Sequence, residues 1–387
     1  MITETSTKNQ HYVPQFLLKK FSLDRKTIKV YQKDKRSIIE NAPIKNQCSK
    51  KWFYGKGKTE DKLSQLEGDG AKVIKRVLEG KKVDFKEKAQ LYQFIYLQSI
   101  RTQKKNDVIN NVAKKIQKNY IEAVAKINNL GNIDEIEGIE ELLSEFEANF
   151  KMTPENLIDD YKSNYNKILD LDFIILKIKN SEKNEECEFI IGDNPVVHYN
   201  YYFERFNGGL DRYGEMIIMP LGPYETIILY DERIYKFHNI KKNNIIEIEI
   251  EDVRKINNLQ YIHCNKNIYF RTILEKQKDY FYELNIEKKP EIYQISDIVS
   301  INLDDKKFID VKLSFFNIKE EGLKIKEACL QKMKAFREIT READIIENEN
   351  IVFTYPLMRS SPKSEMDIRK EIFEIKTGLK EIKYFSK

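Results

Sequence analysis

The segment Lys8-Asn9-Gln10-His11-Tyr12-Val13-Pro14-Gln15-Phe16-Leu17-Leu18 begins with polar residues and ends in an apolar run. Pro14 lacks a backbone N–H and has a fixed φ, so it suits the first turn of a helix. We expect that helix over residues 15–21. His11 and Gln15 would then lie at its start, where polar side chains can reach free N–H groups or a ligand. The segment is therefore either a hydrogen-bonded anchor for a buried N-terminus or one wall of a ligand site.

The composition is typical of a folded globular protein. Hydrophobic residues make up 41% of the 387 residues and charged residues 33%, and Lys and Arg total 67 against 62 Asp and Glu, a net charge of +5. This balance permits nucleic-acid contact without arguing for it. The four Cys lie far apart without a Cys-x-x-Cys pair, which disfavours a local zinc site. No signal peptide or membrane-spanning run is recognisable, so we expect a cytoplasmic location without membrane insertion.

Hydrophobic periodicity predicts an α+β fold. An N-terminal β-hairpin and a helical bundle precede a mostly antiparallel β-sheet region, and helices close the chain. Asp84 and Glu87 have the spacing of a capping box at the start of the longest predicted helix. The predicted helices cover residues 60–78, 84–127, 133–150, 153–166, 251–264, 320–344 and 366–380. The predicted strands cover residues 27–32, 37–40, 171–178, 186–191, 216–219, 226–230, 246–250, 268–270, 299–303 and 308–315.

These elements divide the chain into three predicted units. Residues 1–165 hold the N-terminal segment and the helical region, and residues 166–271 hold the β-rich region. Residues 272–387 form a C-terminal α/β extension whose role the sequence does not indicate.

Unusual polar residues interrupt the predicted core elements. Gln98 and Arg101 share one face of the long helix, within a stretch that is apolar on most sides. A buried Arg requires a partner, because an unpaired buried charge is costly. Asp193 and Asn194 follow a predicted strand, and their Asp-Asn-Pro turn is either part of a site or a turn capped by the Asp.

Three motifs occur in order along the chain, and together they resemble the bacterial domain of unknown function 4238 family over residues 8–271. They are His11-Tyr12-Val13-Pro14-Gln15-Phe16, Leu97-Gln98-x-x-Arg101-Thr102, and Gly192-Asp193-Asn194-Pro195-Val196 followed by Pro220-Leu221-Gly222-Pro223. Glu67 and Asn257-Asn258-Leu259-Gln260 extend the resemblance, whereas Gln103 and Gly192 depart from residues common in the family. The resemblance implies that these polar residues belong together, and it supplies no reaction.

The first functional hypothesis is a ligand- or nucleic-acid-binding sensor or effector, with a role in antiviral defence. A polar cleft formed by the three motifs would bind the ligand through Gln15, Gln98, Arg101 and Asn194. Arg101 suits a phosphate or a carboxylate, which it can bind through two parallel hydrogen bonds. The candidate partners are a nucleic acid or a protein, and the C-terminal helices are a candidate surface for homo-oligomers.

The alternative hypothesis is a metal-dependent hydrolase or nuclease. His11, Glu67 and Asp193 would be its catalytic residues, because His and carboxylate groups together suit acid–base work or a divalent cation. The sequence assigns no cofactor, and Mg²⁺ and Mn²⁺ are the candidates. The spacing of Arg233 and His238 matches a ribonuclease motif that requires a helix, but Arg233 follows a predicted strand.

Overall fold

The computed structural model describes residues 9–54, 59–108, 154–179, 187–201, 210, 212–241, 243–272 and 313–342. Side chains are described for all of these except residues 59–62, 154–156 and 332–342. The predicted helices 133–150 and 366–380, and the predicted strand 299–303, lie outside the described residues.

The opening segment folds back on a strand some forty residues later. Strand β1 (Asn9–His11) pairs antiparallel with β4 (Ser49–Lys51). Pro14 has φ −63° and is the N-cap of helix α1 (Gln15–Leu18), which continues as a 3₁₀ turn over Lys19–Phe21. The predicted helix over residues 15–21 is therefore confirmed as α1 with its 3₁₀ extension.

The predicted hairpin is confirmed, and it belongs to a larger sheet. Strands β2 (Thr27–Gln32) and β3 (Ser37–Pro43) form the hairpin. Later in the chain, β6 (Ile191–Gly192) and β12 (Asn267–Phe270) complete a four-stranded antiparallel sheet in the order β3-β2-β12-β6. The N-terminal hairpin is therefore joined by backbone hydrogen bonds to the β-rich region.

Helix α2 (Thr59–Leu78) packs on α3 (Phe85–Ile100), and α4 (Pro154–Asn164) adjoins α3. The predicted capping box is confirmed, because Asp84 accepts from the Glu87 N–H while Glu87 accepts from the Asp84 N–H. The predicted single helix over residues 84–127 is wrong in one respect. Arg101 has left the helical conformation and ends α3, residues 103–108 are helical again, and residues 109–127 lie outside the described part.

A five-stranded sheet forms the centre of the β-rich region. The strands are β5 (Asp172–Ile178), β7 (Val197–Tyr199), β8 (Met216–Pro220), β9 (Glu225–Tyr230) and β11 (Ile245–Ile248). Their order is β11-β5-β9-β8-β7, with β11 parallel to β5 and every other pair antiparallel. The mostly antiparallel arrangement and the α+β class are thus confirmed.

Two segments correct the sequence-based strand limits. Residues 187–190 are buried and form no strand, although a strand was predicted over 186–191. Of the predicted strand over 308–315, residues 308–312 lie outside the described part and residues 313–315 form no strand; β13 spans Phe316–Ile318 and pairs with β10 (Tyr235–Phe237). Helix α5 (Ile250–His263) packs against β6 and β7, and α6 (Glu320–Glu342) follows β13.

The apolar residues form two large clusters on opposite faces of the five-stranded sheet. One cluster joins α1, α2 and α3 to alternate residues of the strands, including Ile175, Ile217 and Leu229. The other joins the intervening strand residues to α5 and to the segment around β13. No helix within the described residues has both the length and the apolar character needed to cross a bilayer.

Candidate functional site

An ion pair between α2 and the end of α3 forms the centre of the first polar site. Arg101 Nη1 donates to Glu67 Oε1 at 2.5 Å; the Arg101 side chain is fully buried, whereas that of Glu67 is 24% exposed. The helices can approach this closely because Gly70 has no side chain: a Cβ there would lie 2.5 Å from Phe94. A charge-assisted pair of this kind satisfies the requirement for a partner of the buried Arg.

His11 lies within electrostatic range of this pair. Burial lowers the pKa of His11, while the charge of Glu67 raises it and that of Arg101 lowers it. The ring donates from Nε2 to the Lys45 carbonyl at 3.2 Å, which fixes its orientation. Gln15 is half-buried at the start of α1. His11, Glu67 and Arg101 come from three separate segments and lie within electrostatic range of one another. A shared cleft that also includes Gln15 and Gln98 stays a prediction.

Gln98 is the unusual member of this group. It is fully buried on α3, one turn before Arg101, and within the described residues neither atom of its side-chain amide has a hydrogen-bond partner. Leaving a buried donor or acceptor unsatisfied costs about 1–3 kcal/mol. Such groups are rare in folded proteins and each requires an explanation.

Asp193 has a different environment. Its carboxylate accepts from three consecutive backbone N–H groups, those of Asn265, Lys266 and Asn267, at 2.6, 2.9 and 3.0 Å. Burial raises the pKa of Asp193, and these three N–H donors lower it. The side chain therefore fixes the turn that leads into β12. Its predicted catalytic role stays a prediction.

Asn194 contacts the C-terminal end of α5. Its Nδ2 donates to the His263 carbonyl at 3.2 Å, and Lys104 Nζ donates to the same carbonyl at 3.0 Å. Residue 104 belongs to the segment after the break in α3, so this contact links the end of α3 to α5. The predicted role of Asn194 in binding stays a prediction.

Two amides of α5 bond the backbone of residues 188–195. Asn257 accepts from the Ile190 N–H at 3.0 Å and donates to the Glu188 carbonyl at 2.9 Å. Gln260, three residues after Asn257, accepts from the Gly192 N–H at 3.1 Å and donates to the Pro195 carbonyl at 2.8 Å. These bonds explain why residues 187–190 need no strand partner. The sequence motif that contains both residues gave no sign of this structural role.

Gly192 is required by the close approach of α5 to β6. A Cβ at this position would lie 2.8 Å from the Cβ of Cys264, a distance that would force one of the two segments to shift. The departure from the family at residue 192 therefore coincides with tight packing.

A second polar region contains a buried carboxylate–imidazole pair that sequence reasoning did not find. His198 Nδ1 donates to Glu215 Oε1 at 2.7 Å; the Glu215 side chain is fully buried and that of His198 is 26% exposed. His198 lies opposite Ile217 in the β7–β8 ladder, so Glu215, two residues before Ile217, is on the same face of the sheet. Only the pairing of β7 with β8 brings them together, because 17 residues separate them in sequence.

Other sequence features lie outside both polar regions. Arg233 forms ion pairs with Asp231 at 3.1 Å and Asp170 at 3.4 Å, and it precedes a strand, so the ribonuclease-like spacing with His238 is not on a helix. Across the described ranges, no three His, Cys, Asp or Glu residues are grouped so that they could hold a metal ion.

The fold is that of an α+β protein in which a buried ion pair joins α2 to the end of α3. The family model described as "Protein of unknown function (DUF4238)" matches residues 9–273, and the chain belongs to that family. No curated protein and no solved structure matches the chain.

Proposed function

We propose that this protein is a sensor or effector that binds a nucleotide or a nucleic acid at the site formed by His11, Gln15, Glu67, Gln98 and Arg101. The observation that carries the proposal is the buried amide of Gln98, which lacks a partner within the described residues. A fold that keeps such a group gives up stability, and functional sites are where this is expected.

The chemistry of the site defines the ligand class. A Gln amide presents a donor beside an acceptor, which matches the edge of a nucleobase such as adenine. Arg101, one helical turn away, supplies a guanidinium of the geometry that binds phosphate. A nucleotide carries both complementary groups at a short separation, whereas a simple anion would leave the Gln98 amide unsatisfied.

The approach to the site is from the side of α2 and β1. Glu67 is 24% exposed and His11 is half-buried, so the ion pair borders solvent there although Gln98 and Arg101 do not. A ligand that enters on this side meets Glu67 first. It reaches Gln98 only after displacement of the Glu67 side chain, and we expect the ligand to compete with Glu67 for Arg101.

Fluorescence anisotropy with a fluorescein-labelled adenine-rich RNA oligonucleotide, together with calorimetry with AMP, tests the proposal. Gln98→Met keeps the length of the side chain and removes the amide. Loss of a paired donor and acceptor is worth about 1–3 kcal/mol of recognition, so affinity should fall roughly 5- to 150-fold.

Gln65→Met is the matched control, because Gln65 is exposed on α2 and should leave affinity unchanged. The proposal fails if the wild-type protein binds neither probe, or if Gln98→Met binds both as tightly as the wild type.

The other parts of the functional hypothesis stay predictions. No contact among the described residues supports a role in antiviral defence or a protein partner. The same holds for a metal-dependent hydrolase with His11, Glu67 and Asp193. Incubation with DNA and RNA in Mg²⁺ or Mn²⁺, compared with His11→Ala and Glu67→Ala, tests that alternative directly.

A further inference from the structure

The pair formed by His198 and Glu215 is built like an oriented general base. The carboxylate of Glu215 is fully buried behind the imidazole, and its Oε1 accepts from His198 Nδ1 at 2.7 Å. With Nδ1 as the donor, Nε2 of the neutral ring has a free lone pair. A carboxylate in this position fixes the tautomer and the orientation of the ring, and it stabilises the imidazolium that forms when Nε2 takes a proton.

Glu215 has no other role within the described residues that would explain its burial. Its Oε2 has no hydrogen-bond partner there, and the one ion-pair partner described for the carboxylate is His198. Burial of a carboxylate is costly unless it is paired. A buried carboxylate whose described partner is an imidazole on the edge strand β7 is typical of a catalytic pair rather than of a packing element.

The surroundings of the pair favour a negatively charged substrate. The charges of Lys104 and His198 both lower the pKa of His263, so both side chains lie within electrostatic range of its ring. Lys104 is half-buried, and its Nζ is held 3.0 Å from the His263 carbonyl. An ammonium group near a general base can stabilise the charge of a phosphodiester in the transition state.

We propose that His198, positioned by Glu215, is the general base of a metal-independent ribonuclease activity, with Lys104 near the scissile phosphate. His198 is then the catalytic residue and Glu215 the positioning residue. This inference rests on the proposed nucleic-acid ligand, and it adds an activity at a separate group of residues.

The reaction is an internal transesterification. His198 Nε2 takes the proton of a ribose 2′-hydroxyl, and the 2′-oxygen attacks the adjacent phosphorus. The bond from phosphorus to the 5′-oxygen breaks, and that oxygen takes a proton from solvent, to which His198 returns its own. The products are a 2′,3′-cyclic phosphate and a 5′-hydroxyl, with no water consumed and no redox change.

RNA is favoured over DNA because it carries its own nucleophile. His198 supplies a base and Lys104 supplies a cation. Hydrolysis of DNA would require activated water and a strong electrophilic catalyst. Transesterification of RNA needs only the groups that are present.

The test is cleavage of a labelled RNA oligonucleotide by the full chain in EDTA, with the products analysed for a 2′,3′-cyclic end. We expect cleavage of RNA and none of a DNA of the same sequence or of an RNA with 2′-O-methyl groups. A general base contributes about 10²- to 10⁴-fold, so His198→Gln should lose at least about 100-fold in rate. His238→Gln is the matched control, because His238 is a half-buried histidine outside the pair, and it should cleave at the wild-type rate.

Glu215→Gln separates positioning from folding. Loss of the carboxylate should change the shape of the pH–rate profile as well as lower the rate, whereas a merely structural role would lower the rate equally at every pH. The 2′-O-methyl substrate removes the nucleophile and so tests the proposed reaction without changing the protein.

The inference is overturned if RNA is not cleaved in EDTA, if DNA or 2′-O-methyl RNA is cleaved equally well, or if His198→Gln retains the wild-type rate. RNA that is bound but not cleaved overturns this inference alone. Absence of binding to both RNA and AMP overturns the proposed function.

Discussion

Gln260 on α5 and Gln98 on α3 are the same residue type and are both fully buried, yet their amides have opposite surroundings. Gln260 donates to the Pro195 carbonyl and accepts from the Gly192 N–H, so both its polar atoms are paired. Neither polar atom of Gln98 has a partner within the described residues. Burial alone therefore does not separate a structural polar residue from a candidate functional one; the pairing of each polar atom does.

The difference follows from what each helix packs against. Helix α5 faces residues 188–195, whose backbone lacks a sheet partner along most of its length, so side-chain amides can replace a neighbouring strand. Helix α3 faces α2, whose backbone groups already bond within the helix. An amide on α3 must find a side chain, a water molecule or a ligand, and Glu67 is already bonded to Arg101.

The largest expected effect on stability comes from Asp193→Ala, because the Asp193 carboxylate bonds the segment that follows α5. The substitution leaves the N–H groups of Asn265, Lys266 and Asn267 without their acceptor, so we expect unfolding in urea to show a loss of about 3–5 kcal/mol. Asp34→Ala, at an exposed Asp, is the control and should be near neutral. A loss below about 1 kcal/mol for Asp193→Ala would contradict the structural role.

Gln260→Met should cost about 2–4 kcal/mol, because one donor and one acceptor of the buried backbone lose their partner. The same urea titration measures it. Gln260→Glu is a useful companion variant, since it keeps an acceptor for the Gly192 N–H but loses the donor to Pro195. A neutral Gln260→Met would remove the contrast with Gln98.

The effect of Gln98→Met on the free energy of unfolding should be opposite in sign to that of Gln260→Met and smaller. In ligand-free protein the substitution removes an unsatisfied amide at little change in volume, so we expect a gain of about 1–2 kcal/mol in the free energy of unfolding. Gln98→Met in the presence of RNA should show less stabilisation by ligand than the wild type. A loss of more than about 1 kcal/mol without ligand would show that the amide is satisfied in the folded protein, which would remove the basis of the proposed function.

The smallest expected effect is the change in folding stability with pH. Burial lowers the pKa of His11 and of His263, so the folded protein favours the neutral rings. Stability is then fully present above the unfolded-state pKa of about 6.5 and is lost as pH falls towards the folded-state values. Between about pH 7 and about pH 6 we expect a loss of roughly 0.5–1 kcal/mol in chemical unfolding.

His263→Gln should flatten this pH dependence. The charges that act on His263 are Lys104, His198 and Lys33, and all three lower its pKa together with burial. If the stability of His263→Gln falls more steeply with pH than that of the wild type, then His263 is not a source of the pH dependence.

The sequence predicted elements well where a local signal was strong. Asp84 and Glu87 form the predicted capping box, and Pro14 precedes α1. It failed at residues 187–190, where an apolar run resembled a strand although its backbone bonds to α5 side chains and to the Pro223 carbonyl. It also failed to break the long helix at Arg101, because no Gly or Pro marks that position.

The site residues also divide into those that the sequence indicated and those that only the structure brings together. Ordered motifs indicated that His11, Glu67, Gln98 and Arg101 belong together, and a buried Arg by itself required an acidic partner. Glu215 could not be found in this way, since its relation to His198 depends on which strands pair and in which register.

The sequence by itself determined the α+β class, the family and the residue types of the candidate site, because hydrophobic period, caps and ordered motifs are local properties of the chain. The tertiary structure alone decided which polar atoms are satisfied. Whether a polar atom is satisfied depends on pairs of segments far apart in sequence. Those pairings give Asp193 and Gln260 structural hydrogen bonds and place Glu215 behind His198. They leave the amide of Gln98 without a partner in the described part of the chain.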